Sequence, residues 1–321
     1  MRTFAFDAQP TAALFDRSGA IFALGDGSVR FESGETAQAH DGVVLCAVAH
    51  PSGDGVVTGG DDGCVVWSRR DEVSVLAEAQ GRWIDAIDAS PTSGLIAFAH
   101  GRNVGVLDTA DLKFRRDFGH ERTVSGVAFD PKGRRIAAST YGGAALWFAR
   151  IAQQKPTMLK WAGSHTSVGF SPDGGYVVTT MQDNQLHGWR LKDGKDMRMG
   201  GYPAKVKSFG FLDGGSMMAT SGANGVVLWP FVGANGPMGR EAIEIGHDEG
   251  STVALVAARP SAAILAAGLS DGRVWAAAPA GQGLNWLKTE TGPVIVALAV
   301  SADGRRAAWA DEGGTAAVAE I

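Results

Sequence analysis

The chain has 321 residues and a net charge of −5, and its 29 Lys and Arg are scattered without runs. It therefore lacks the basic stripe that grips a phosphate backbone, and nucleic acid is not an expected partner. A hydrophobic content of 45% is enough to bury a large core, which argues against disorder.

The chain opens on MRTFAFDAQP, which has no basic segment followed by an apolar core, so no secretory leader is expected. Cys46 and Cys64 are the only cysteines and form no CxxC pair, which fits a reducing, cytoplasmic setting. The most apolar run, STVALVAARPSAAILAAGL, is interrupted by Arg259 and Pro260, so no membrane span is expected.

From residue 25 onward one pattern recurs: GDGSVRF (25–31), GGDDGCVVW (59–67), AHGRNVGVL (99–107), YGGAALW (141–147), QDNQLHGW (182–189), ANGVVLW (223–229), SDGRVW (270–275) and EGGTAAV (312–318). The turn positions Gly27, Gly63, Gly101, Gly143, Asn184, Gly225, Gly272 and Gly314 have a mean spacing of 41 residues. A second series, DRSG, PSG, PTSG, DPKG, SPDG, LDGG, RPSA and SADG, keeps the same beat between them. Pro presets a turn angle, Asp bonds the local backbone and Gly accepts positive φ, so both series read as hairpin turns.

Between the turns lie short β-branched or alternating runs such as VVLCAVAHP, GVVTGG, TVSGVAFDP, RRIAAST, YVVTT and PVIVALAVSAD, which predict strands. Each unit reads as strand a, a turn, strand b, a DG-type turn, strand c ending near Trp, and a more polar outer strand d such as EVSVLAEA (72–79) or LKFRRDF (112–118). Four strands in about 40 to 45 residues describe a propeller blade.

The layouts from His40 to Trp67 and from Gly119 to Trp147 resemble WD40 repeats, and the pattern covers essentially the whole chain. The WD dipeptide is absent: Trp67, Trp147, Trp189 and Trp229 are followed by Ser, Phe, Arg and Pro. The resemblance implies an Asp-His-Ser/Thr-Trp bond network, which repeat two alone can fill, from His40, Thr58, Asp62 and Trp67. It also implies a single domain over residues 1–321, closed as a ring. Eight a-b-c units give eight blades, with seven as the alternative because that is the commoner family number. The last unit has no strand d behind it, so residues 2–7 are expected to pair with the blade formed by 292–321, covering an edge that would invite aggregation.

No HExxH, P-loop, paired CxxC or G-x-S-x-G elbow occurs, and no cofactor or metal is expected. Asp61 and Asp62 read as turn caps before they read as an acid–base pair. Cys46 and Cys64 read as inert thiols, and the strand-c tryptophans as packing between blades. Trp83 differs because GRWIDAID puts it at the start of strand a. In the resembled family the d-to-a and b-to-c loops meet on one rim of the channel. That rim would collect Asp61, Arg82, Trp83, Asp85, His100, Arg122, Tyr141, His165, Gln182, Lys205, Lys207 and Asp311. Aromatic and Arg anchors among mixed charge suit a binding hot spot.

The function implied is a non-catalytic scaffold, monomeric on its own, that docks a protein or peptide. The alternative is an enzyme or small-ligand binder at the channel mouth, with His100, His165, Tyr141 and Asp85 in acid–base roles. A long turn-rich segment, WPFVGANGPMGREAIEIGHDEG (229–250), offers Phe231 and Met238 as exposed contacts within its 231–241 loop.

Overall fold

The computed structural model describes residues 1–279, 281 and 283–321. These form antiparallel strands, with one short 3-10 turn at Asp213–Gly215. The chain divides into two compact units, Asp16–Met199 and Met1–Phe15 with Gly200–Ile321.

In the first unit the repeats follow the a-b-c-d plan. Repeat two runs Val44–Ala49, Val56–Gly60, Cys64–Arg69 and Glu72–Glu78. Repeat three runs Ile84–Ser90, Leu95–His100, Asn103–Asp108 and Arg115–Gly119. Alternation places Ile96, Phe98, Leu107, Val57 and Val65 in one buried cluster, so neighbouring sheets share the apolar layer that neither could cover alone.

In the second unit, repeat six spans Phe209–Leu212 to Ile243–Ile245 and repeat seven Val253–Ala258 to Asn285–Lys288. The last sheet has the order Arg2–Ala5, Thr315–Glu320, Arg306–Asp311, Ile295–Val300. Arg2 lies opposite Val318 and Ala5 opposite Thr315, and the Phe6 N–H donates to the Gly314 carbonyl at 2.9 Å. The N-terminal strand is therefore the outer strand of the last sheet, as the missing strand d of repeat eight required.

Among the described residues the sheets number seven, six of four strands and one of six. The expected eight separate blades give way to seven sheets because repeats four and five share one. Strand b of repeat four runs without a break into strand c as Arg135–Phe148. The chain doubles back at Gly142 and Gly143 (φ 94° and 133°), and the Ala149 N–H donates to the Arg134 carbonyl at 2.9 Å. Only glycine tolerates this turn, because a Cβ on Gly143 would overlap the Leu159 carbonyl. Strand d of repeat four then continues as strand a of repeat five in Thr157–Phe170. Its first half pairs with Gly143–Leu146 and its second half with Val177–Met181.

Candidate functional site

A β-bulge recurs where strand a begins. The a–b register shifts between Val44 and Cys46, Ile84 and Ala86, Val124 and Gly126, His165 and Ser167, Val253 and Leu255, and Ile295 and Ala297. Such a bulge inserts an unpaired residue and re-aims its side chain; in repeat three that residue is Asp85, which is exposed.

In repeat three, Trp83 and Gly101 flank the Ile84–His100 pair; in repeat four, Thr123 and Tyr141 flank the Val124–Thr140 pair. The two turn sets meet, because the Val124 N–H donates to the Gly101 carbonyl at 2.9 Å and the His120 N–H to the Arg102 carbonyl at 2.8 Å. Gly101 sits at φ 65°, and the Arg82 side chain lies across it, its Cδ 3.5 Å from where a Cβ would stand.

Trp83 is 65% and Tyr141 64% exposed, so Trp83 does not take the inter-blade packing role of the strand-c tryptophans. Arg82, Arg102 and Arg122 are exposed, and among the described residues none has a side-chain hydrogen bond or ion pair. His100 is half-buried, with Nε2 3.5 Å from Asp117 Oδ2 and its ring tilted against Phe98 at 5.5 Å. A groove of about 760 Å³, lined by Arg82, His100 and Phe98, follows the end of the outer strand of repeat two from Val75 to Glu78 and continues along Ala79 and Gln80.

The turns of repeat two are built differently. Asp61 Oδ1 accepts from the Val43 N–H at 2.8 Å, and Gly42 permits that approach because a Cβ there would overlap the carboxylate. The His40 ring is buried, with Nδ1 3.0 Å from Asp62 Oδ1 and Nε2 2.8 Å from Thr58 Oγ1. Partial burial works against the Asp62 charge, yet the Cys64 N–H and His40 hold its carboxyl below the usual range.

Trp67 stands outside this network. It stacks on His50 at 4.0 Å and donates its indole N–H to the Asp54 carbonyl at 2.9 Å. The reason is register. Trp189 and Trp229 lie opposite the residue two before the strand-b threonine (Val177 before Thr179, Met218 before Thr220), whereas in repeat two that place belongs to Ser68, opposite Val56. A one-residue offset turns a side chain to the other face.

Relatives of the network recur where the sequence shows no His-Asp pair. Trp229 Nε1 donates to Tyr202 Oη at 2.7 Å, and Tyr202 Oη lies 2.7 Å from Thr220 Oγ1. Trp147 Nε1 donates to His120 Nε2 at 3.0 Å.

Two expected rim residues are interior. His165 is fully buried, with Nδ1 2.7 Å from Thr179 Oγ1 and Nε2 3.1 Å from the Trp161 carbonyl, and burial lowers its pKa. Asp311 is 4% exposed, and its Oδ1 accepts from the Thr315 N–H at 3.0 Å, capping its own turn. Gln182 is exposed at the b–c turn of repeat five. Lys207 is exposed and Lys205 half-buried, but both, like Asp311, belong to the second unit. The structure thus gathers Arg82, Trp83, Asp85, Arg122 and Tyr141 on adjoining repeats and adds Arg102, which the sequence reading passed over.

Phe231 and Met238 are half-buried. Phe231 packs edge-on against Phe211 at 5.1 Å, and the exposed large apolar residues of this stretch are Val232 and Ile243. Burial, with the Asp85 charge adding, pushes the Cys46 thiol up to about 12, and burial brings His50 and His187 down to about 4. Among the described residues no three His, Cys, Asp or Glu side chains are grouped to hold a metal. No described helix is long and apolar enough to cross a membrane.

Repeated antiparallel sheets with their loops gathered at the sheet ends define a repeat-built β-propeller. Residues 32–68 and 112–147 match the WD40 family, described as "WD domain, G-beta repeat". An uncharacterized WD repeat-containing protein of Synechocystis sp. is 31% identical over 122 residues, which are 36% of this chain and 32% of that protein. The chain thus aligns with about a third of that relative's length. The crystal structure of the computationally designed Ika8 protein superposes with a TM-score of 0.79 at 18% identity, covering 99% of this chain and 98% of that one. Two of its repeats thus match the WD40 model, and its fold is that of a β-propeller.

Proposed function

We propose that this protein is a non-catalytic scaffold that docks a protein or peptide partner on the turns of repeats three and four. WD40 propellers generally serve as protein-interaction scaffolds, and the observation that carries the finer reading is the pair Trp83 and Tyr141. Two large aromatics that are 65% and 64% exposed on adjoining turns contribute little to the fold, and they have the chemistry of interface anchors. A scaffold of this kind needs no cofactor and works as a monomer in the cytoplasm.

The test is affinity capture from native lysate with mass spectrometry. Wild type is compared with a Trp83→Ala, Tyr141→Ala double variant shown by circular dichroism to be folded. A partner retained by wild type and lost by the variant supports the docking face. A partner captured equally by both moves the contact elsewhere, and specific turnover by the purified protein would falsify the non-catalytic reading.

A further inference from the structure

Resting on that scaffold reading, we infer that the partner segment is acidic: a stretch of chain whose Asp and Glu carboxylates meet Arg82, Arg102 and Arg122 while an apolar side chain packs on Trp83. The three arginines come from three separate turns: the d–a connection of repeat three, its b–c turn, and the d–a connection of repeat four. They are drawn together by the backbone bonds that tie Gly101 to Val124 and Arg102 to His120, with the Arg82 side chain laid across Gly101.

Like charges assembled in this way repel one another, and the fold gives them no counter-ion. Two carboxylates share these turns, Asp85 on the bulge and Glu121 beside Arg122, and neither forms an ion pair with any of the three among the described residues. A third carboxylate nearby, Asp117, faces His100 at 3.5 Å. By contrast, Arg135, Arg150, Arg190 and Arg273 are each held by carboxylates: Asp130, Asp108, Asp193, and Asp248 with Asp271.

A basic, aromatic-flanked cluster without internal partners, on a chain of net charge −5, is complementary to an anionic segment. The planar guanidinium forks suit carboxylates in particular. The exposed Trp83 beside them favours a segment with an apolar residue over a bare polyanion.

The test is selection from a library of short randomised peptides on immobilised wild type. A folded Arg82→Gln, Arg102→Gln, Arg122→Gln variant serves for counter-selection, followed by fluorescence anisotropy of the enriched peptides. Enrichment of Asp- and Glu-rich peptides bearing an aromatic or aliphatic residue is expected. Their affinity should fall about tenfold or more in the triple variant and weaken with salt. Enrichment of neutral or basic peptides, or acidic peptides that bind the triple variant equally, overturns the inference. So does a single-stranded oligonucleotide that binds as tightly as the peptides, since the cluster would then read charge alone. A library that yields no binder also overturns it, whereas the scaffold reading stands or falls separately on the lysate capture by the Trp83→Ala, Tyr141→Ala variant.

Discussion

The turns of repeat two and those of repeats three and four occupy equivalent places in the same unit, yet their side chains have opposite fates. In repeat two, Asp61 and Asp62 look like a functional pair, but both carboxylates are consumed by the fold. One accepts from the Val43 N–H, the other from the Cys64 N–H while facing His40. In repeats three and four the turns are tied to one another by the backbone bonds from Val124 to Gly101 and from His120 to Arg102, and the side chains of Arg82, Arg102, Arg122, Trp83 and Tyr141 are left unengaged. Asp61 and Asp62 each reach a backbone N–H donor among the turns of their own repeat, whereas Arg82, Arg102, Arg122 and Trp83, which have no acceptor to offer, do not. Whether a turn side chain finds a partner within the fold thus separates those that build the propeller from those left over for a partner.

The comparison can be broken most sharply at His40. Replacing it by Ala leaves the Thr58 hydroxyl buried without its ring partner and exposes Asp62 to loss of its own. Denaturant unfolding should show a loss of about 2–4 kcal/mol. Asp61→Ala, which orphans only the Val43 N–H, should cost about 1 kcal/mol in the same assay.

Next in size is a pH effect at Asp88. Its Oδ2 accepts from the Phe129 N–H at 2.6 Å, and burial raises its carboxyl to about 6. An unfolded Asp titrates near ~4, so the folded state holds the proton more tightly. The associated stability is fully present below about 4 and is lost as pH rises through about 6. Asp88→Asn keeps an acceptor for Phe129 without the buried charge. It should therefore raise Tm at pH 8 and flatten the acid-side gain, and a variant that unfolds earlier at pH 8 would sink this account. The smallest effect on stability is expected from the Arg82→Gln, Arg102→Gln, Arg122→Gln variant, within about 0.5 kcal/mol of wild type.

The repeat plan was legible because turn chemistry is written into the sequence: Asp, Pro and Gly recur at two phases of one period, and the strands between them alternate. The N-terminal strand on the last sheet was legible by counting, since repeat eight ends at Thr315–Glu320 with no strand behind it. The union of repeats four and five was not, because it depends on how tightly Gly142 and Gly143 turn and on the short link from Trp161 to His165.

Trp67 was assigned to the network by its place at the end of strand c. The strand pairing puts it one residue off, which a period of two converts into the wrong face. His165 and Asp311 were read as rim residues because His and Asp serve equally as turn caps and as surface groups, and only burial distinguishes them. Arg102 lies within the quoted AHGRNVGVL and differs from the acids, Gly, Gln and Ala around most equivalent turns. That departure from the pattern was the available signal.

The measurement that bears most directly on the division between building and docking turns is a paired one on the Trp83→Ala, Tyr141→Ala variant: thermal unfolding and partner capture on the same preparation. The account predicts a Tm within a degree or so of wild type together with loss of the captured partner. A Tm lowered by many degrees, or a partner retained in full, would contradict it.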